Sequence, residues 1–112
     1  MNILKIILKG VEIMTIRFED DLINQLQDPE FQKEWLRQTI VEYIEDGDYK
    51  EFFRAMEQVI KARTTVSKFA EQVGMNRVQL VDILHGKVKT PSLLTISKIL
   101  SGLGYTLDVK SA

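Results

Sequence analysis

The chain has no cysteine, only one histidine and one tryptophan, and two prolines. Without cysteine, disulfides and thiol chemistry are excluded, and a reducing cytoplasm is the expected location. A lone histidine in a cysteine-free chain leaves no cluster of metal ligands and no recognisable nucleophile–base arrangement, so no metal or catalytic centre is expected. Its place near the end of a helix suggests a charge facing the helix dipole instead. No glycine-rich phosphate loop occurs: Gly102 and Gly104 flank Leu103, where they read as a helix end and a turn. Neither a cofactor nor an enzymatic activity is expected. The opening MNILKIILKGVEI is apolar but broken by Lys5 and Lys9, and no small-residue cleavage site follows it. Neither a signal peptide nor a membrane span is expected there. A better organised stretch, TIRFEDD, follows Met14. Residues 1–14 read as an N-terminal extension, and translation starting at Met14 would leave residues 1–13 dispensable; the alternative is an apolar N-terminal strand.

The chain's 112 residues, 45% hydrophobic and 28% charged, suit one domain with a real core. A net charge of −1 conceals an uneven distribution. Between Arg17 and Glu57 there are twelve acids and five bases; from residue 59 onward there are three acids and eight bases. One half is thus strongly acidic and the other basic, and contact with a polyanion depends on the local field rather than on the total.

The pattern predicts about five helices. Asp28-Pro29-Glu30 combines a cap, a residue suited to the first helical position and a charge matching the dipole. The following Phe31, Trp35, Leu36, Ile40, Tyr43 and Ile44 recur at three- and four-residue spacing, which reads as a buried face. Gly47 should end that helix, and Asp48 should restart another with Glu51 completing a capping box. The stripe Tyr49, Phe52, Phe53, Met56, Val59 and Ile60 is core rather than a ligand cage. The carboxylates Glu42, Glu45, Asp46 and Asp48 read as a solvated surface or a landing site for a basic partner. Thr65 should cap a short helix carrying Val66, Phe69, Ala70 and Val73, with Gly74 making a left-handed turn. Asn76 caps the next, Leu80, Ile83 and Leu84 pointing inward and Arg77, Val78, Val81 and Asp82 outward. Ser92 caps a last, leucine-rich helix. The alternating tail from Tyr105 to Lys110 has the period of a half-buried strand.

Ala70, four residues before Gly74, lets two short helices pack closely, so the second projects its N-terminus as a groove-reading helix does. The stretch AEQVGMNRVQLVDILHGKVKTPSLLTISKILSGLGY resembles the phage-repressor (Cro/XRE-like) helix-turn-helix. Together with DPEFQKEWLRQTIVEYIEDGDYKEFFRAMEQVIKAR before it, the chain is similar over residues 15–110 to the addiction-module antidote proteins, antitoxins of toxin–antitoxin pairs. The resemblance implies an all-α, five-helix repressor-type domain with an N-terminal helical extension and one or two short terminal strands. Residues 15–64 would form an acidic helical region for toxin or dimer contact. Residues 65–112 would be the DNA-binding region with its C-terminal strand, the whole making one compact domain.

The resemblance also implies base contacts from Asn76, Arg77, Val78, Gln79 and Asp82. Arg77 could grip guanine, Gln79 could read adenine or hold a phosphate, and Val78 could touch a thymine methyl. Asp82 repels phosphate but could accept from a cytosine amine or orient Arg77. Phosphates would be met by Thr65, Lys68, Lys87, Lys89, Thr90 and Ser92, which fix register without reading sequence. The implied function is a repressor that binds operator DNA as a homodimer, its acidic half neutralising a small basic RelE/ParE-like toxin. A stand-alone phage-type regulator, or an interaction module without DNA binding, fits the same residues.

Overall fold

The computed structural model describes Leu22 and residues 24–111. Among the described residues five helices follow one another: α1 (Pro29–Asp46), α2 (Lys50–Arg63), α3 (Val66–Val73), α4 (Arg77–Leu84) and α5 (Leu93–Gly102). Before them the Leu26 N–H bonds the Leu22 carbonyl at 2.8 Å, and Leu22, Asn24 and Gln25 are helical. The regular structure among the described residues is all-helical. Helix α2 is the central element and touches α1, α3 and α4, while α3 packs on both α4 and α5.

Local chemistry sets most of the boundaries. Asp28 accepts from the Glu30 N–H at 3.0 Å, with Pro29 at the first helical position, and Gly47 ends α1 at φ 73°. Side-chain oxygens of Thr65, Asn76 and Ser92 cap α3, α4 and α5. Asp48 acts one residue off the expected register. Its carboxylate accepts from the Lys50 N–H at 3.0 Å, and α2 begins there with Tyr49 as the boundary residue, so the anticipated box with Glu51 is not the cap.

The core is built on Phe52, Phe53, Ala55, Met56, Val59 and Ile60 of α2, all essentially inaccessible. Around them close Leu26, Trp35, Leu36, Phe69, Leu80, Ile83, Ile99 and Leu103. Rings of Tyr43, Tyr49, Phe52 and Phe53 stand 5.2 to 6.4 Å apart, within the range at which aromatic pairs add to simple area burial.

Three expectations need correction. Ile44 is 77% exposed rather than part of the inward face of α1. The inward face instead follows Gln32, Trp35, Leu36, Thr39 and Glu42; Ile44 lies two residues past Glu42, about 200° around the helix. Glu42 is correspondingly buried, not part of a solvated acidic surface. Residues 105–111 are irregular, so the tail is not a strand among the described residues. Alternating side chains suit a strand only where a neighbouring edge completes the ladder, and the Val109 N–H instead bonds the adjacent Asp108 side chain at 2.8 Å. The proposed start at Met14 and the N-terminal strand lie outside the described residues.

One contact leaves no room for a side chain. A Cβ on Gly102 would sit 2.4 Å from Val73 Cγ1 and 2.9 Å from Phe69 Cζ, so the absence of a side chain sets how closely α5 lies on α3. Replacing Gly102 with Ala is expected to destabilise the fold by about 1–3 kcal/mol through overpacking, seen as a lower urea midpoint with an unchanged slope.

Candidate nucleic-acid interface

The unit formed by α3, its turn and α4 is built from short-range signals. The Gly74 N–H reaches back to the Ala70 and Glu71 carbonyls from a left-handed φ of 70°, and the Met75 N–H bonds Ala70 at 2.8 Å. This double closure ends α3 and reverses the chain within two residues. Ala70 is buried at the crossing, and Met75 packs half-buried against the core. Asn76 then starts α4: its side-chain oxygen accepts from the Val78 and Gln79 N–H groups at 2.8 and 3.4 Å.

The C-terminal end of α4 is fastened and its N-terminal end is not. Leu80, Ile83 and Leu84 are buried. Past them, the His85 ring Nε2 meets Glu57 Oε2 of α2 at 2.6 Å, and the Tyr49 hydroxyl donates to the Gly86 carbonyl at 3.5 Å. His85 thus stands at the helix end, as its sequence position suggested, while its carboxylate partner lies 28 residues away on α2. Arg77, Val78 and Gln79, in the first turn, are exposed, Val78 to 63%. Three residues named as base readers therefore share one solvent-facing turn, with Asn76 committed to capping it.

Asp82 is half-buried one turn further along and lies 3.7 Å from Lys87 Nζ. The structure so brings together one expected base contact and one expected phosphate contact as an ion pair. Thr65 and Lys68 occupy the start of α3, where the Thr65 hydroxyl accepts from the Lys68 N–H at 3.2 Å. Lys89 and Thr90 are exposed in the loop before α5, and Ser92 caps that helix, accepting from the Thr95 N–H at 3.1 Å. Among the described residues Lys68, Arg77, Lys89 and Lys98 hold no ion pair within the chain.

The division of charge extends to the helix ends. Helices α1 and α2 carry Glu30 and Glu51 in their first turns, whereas α3, α4 and α5 have no acid there and are capped by neutral side chains. The partial positive charge at those three N-termini is therefore not offset by a first-turn acid.

Arg63 escaped the sequence reading, where it counted only as one base of the basic half. Its Nε donates to Gln32 Oε1 at 2.8 Å, Nη1 to the Leu103 carbonyl at 2.6 Å and Nη2 to the Tyr105 hydroxyl at 3.2 Å. The partners lie 31 to 42 residues away, so no local signal marks them.

A family model described as a probable addiction module antidote protein matches residues 17–111. The chain belongs to this family. The match spans α1 and α2 as well as the basic unit, so membership concerns the acidic helices as much as the exposed turn of α4. Neither a curated protein nor a solved structure matches the chain. No helix among the described residues is long and apolar enough to cross a membrane.

Because Asn76 both caps α4 and begins its exposed turn, Asn76→Ala is expected to cost about 0.5–2 kcal/mol in chemical denaturation. Asn76→Asp should retain most of the stability, since a carboxylate caps equally well.

Proposed function

We propose that this antitoxin-family chain binds its own operator as a homodimer, with α3 and α4 acting as a repressor-type helix-turn-helix, and neutralises a small basic toxin of the RelE/ParE type. The observation carrying the DNA-binding reading is the first turn of α4. It presents Arg77, Val78 and Gln79 to solvent while the other end of the helix is held against α2. A helix fixed at one end and open at the other suits the major groove, where Arg77 would grip guanine O6 and N7 and Val78 a thymine methyl. Lys68, Lys89, Thr90 and the capped starts of α3 and α5 are placed to hold phosphates, with Thr65 and Ser92 at those starts. In this reading Lys87 exchanges Asp82 for a phosphate, and Asp82 and Gln79 are secondary readers. No catalytic role is assigned to the chain.

Support for a dimer comes from Leu93 and Leu94, 70% and 79% exposed at the start of α5 beside the phosphate-holding loop. A homodimer formed there would bring two copies of α4 to one operator, the arrangement that paired half-sites require. Leu94→Glu is expected to give monomers in light scattering where the unaltered chain is dimeric, and to weaken operator binding.

Salt-titrated binding to the protein's own upstream promoter fragment, against random duplex, tests the whole reading. Specific binding that falls steeply with salt is expected. Arg77→Ala should lose about 1–3 kcal/mol at one operator position and relax specificity there. Lys89→Ala should weaken binding on all sequences alike and reduce the salt slope by about 1. Binding no tighter than to random duplex would leave α3 and α4 as a scaffold for protein contacts.

A further inference from the structure

On the acidic half of the chain one side of α1 is cationic, and it borders a cleft. Lys33, Leu36, Arg37 and Ile40 recur at three- and four-residue spacing, so they share that side of the helix. With Phe52 of α2, Leu100 of α5 and residues 105–107 they line a cleft of about 360 Å³, a volume toward the lower end for small-molecule sites. Its floor is apolar and recessed: Leu36, Phe52 and Leu100 are all buried. The opposite wall is steadied at Tyr105. Its hydroxyl accepts from Arg63 Nη2 at 3.2 Å, and its ring centre lies 5.6 Å from the same guanidinium carbon. Lys33 and Arg37 stand exposed at the rim and, among the described residues, hold neither an ion pair nor a hydrogen bond. Glu30 and Glu34 each lie three residues before one of them, a spacing that permits pairing, yet neither is engaged. Two like charges one turn apart act against the helix that carries them.

A recessed apolar floor behind two unpaired cations narrows what fits. A protein surface would meet the rim, because among the cleft's apolar side chains only Leu107 is exposed. A basic toxin would be repelled there by Lys33 and Arg37. Duplex DNA offers phosphates to the rim and nothing to the floor. A small organic anion answers both parts. Its carboxylate meets Lys33 and Arg37 through charge-assisted hydrogen bonds, and its hydrocarbon body covers Leu36, Ile40, Phe52 and Leu100. Lys33 and Ile40 stand about 10 Å apart along the helix axis, which suits a medium-length aliphatic chain or a fused aromatic pair. We propose that this cleft is a binding site for a small monocarboxylate with an apolar body, one per chain. The site shares no residue with the exposed turn of α4, so it stands or falls apart from the operator reading.

Calorimetric titration of the full chain with octanoate and with naphthoate tests the assignment, octanol and octylammonium serving as uncharged and cationic counterparts. At least one of the two carboxylates is expected to bind at a single site per chain and to raise the thermal midpoint with increasing concentration. Octanol should bind about tenfold more weakly than octanoate, and octylammonium more weakly still. Lys33→Ala combined with Arg37→Ala changes exposed side chains only. It should leave the thermal midpoint of the unliganded chain unchanged and weaken carboxylate binding by about tenfold or more. Leu107→Glu, which sets a like charge on the opposite wall, should weaken octanoate more than octanol. No saturable binding of either carboxylate to the unaltered chain overturns the proposal, as does octanol binding as tightly as octanoate. Carboxylate binding of equal strength in the altered chains places the ligand elsewhere and also overturns it.

Discussion

The Arg63 guanidinium ties three separate parts of the chain to the end of α2. From the end of α2 it bonds the Gln32 amide oxygen of α1, the Leu103 carbonyl just past α5 and the Tyr105 hydroxyl, and its carbon stands 5.6 Å from the Tyr105 ring centre. Gln32, itself buried, passes the connection on by donating to the Leu26 carbonyl in the preceding turn. A planar group with five donors can serve three acceptors in different directions; a lysine ammonium cannot hold the same directions. At the opposite end of α2 Tyr49 has a matching task, and with Glu57 from the middle of the helix it fixes the end of α4. One helix therefore carries a fastening at each end. The orientation of the exposed turn of α4 depends on both, because the layers on either side of α2 are positioned against the same rod of Phe52, Phe53, Met56 and Val59.

Around this frame the electrostatics are sorted rather than balanced. Glu57 of α2 stands at the boundary: it is 3.4 Å from Lys61 and 2.6 Å from His85, so the junction between the acidic and basic parts is tied by a shared carboxylate. Such exposed pairs contribute little stability individually. Their value here is positional, since they occupy charges at the junction and leave Lys68, Arg77 and Lys89 on the outer face of the basic part.

What the sequence disclosed and what it hid differ by the range of the interactions concerned. The caps Asp28, Thr65, Asn76 and Ser92, and the reversal at Gly74, are set within three or four residues, and all can be read directly. The inward side of α2 is legible because its apolar residues fall on one stripe. The inward side of α1 is not, because Gln32, Thr39 and Glu42 lie inward while Val41 and Ile44 lie outward, leaving periodicity without a clear face to find. The Thr39 hydroxyl is satisfied by the Trp35 and Leu36 carbonyls of its own helix, which lets a polar residue go inward. Of the interface, the residue types and their common turn were visible. The commitments of Asp82 to Lys87 and of Arg63 to three distant acceptors were not, since they require knowing which residues the fold brings side by side.

The Asp82–Lys87 pair gives the basic face a group that is silent at a distance. The field of two opposite charges 3.7 Å apart falls off much faster with distance than that of either charge alone. The pair adds nothing to the general attraction that draws a cationic surface toward any polyanion, unlike Lys68 or Lys89. Only at contact, where an outside anion or amine can replace one partner, do the two groups become distinguishable. A self-neutralised pair on a charged face is a way of separating the forces that bring two molecules together from those that decide whether they stay.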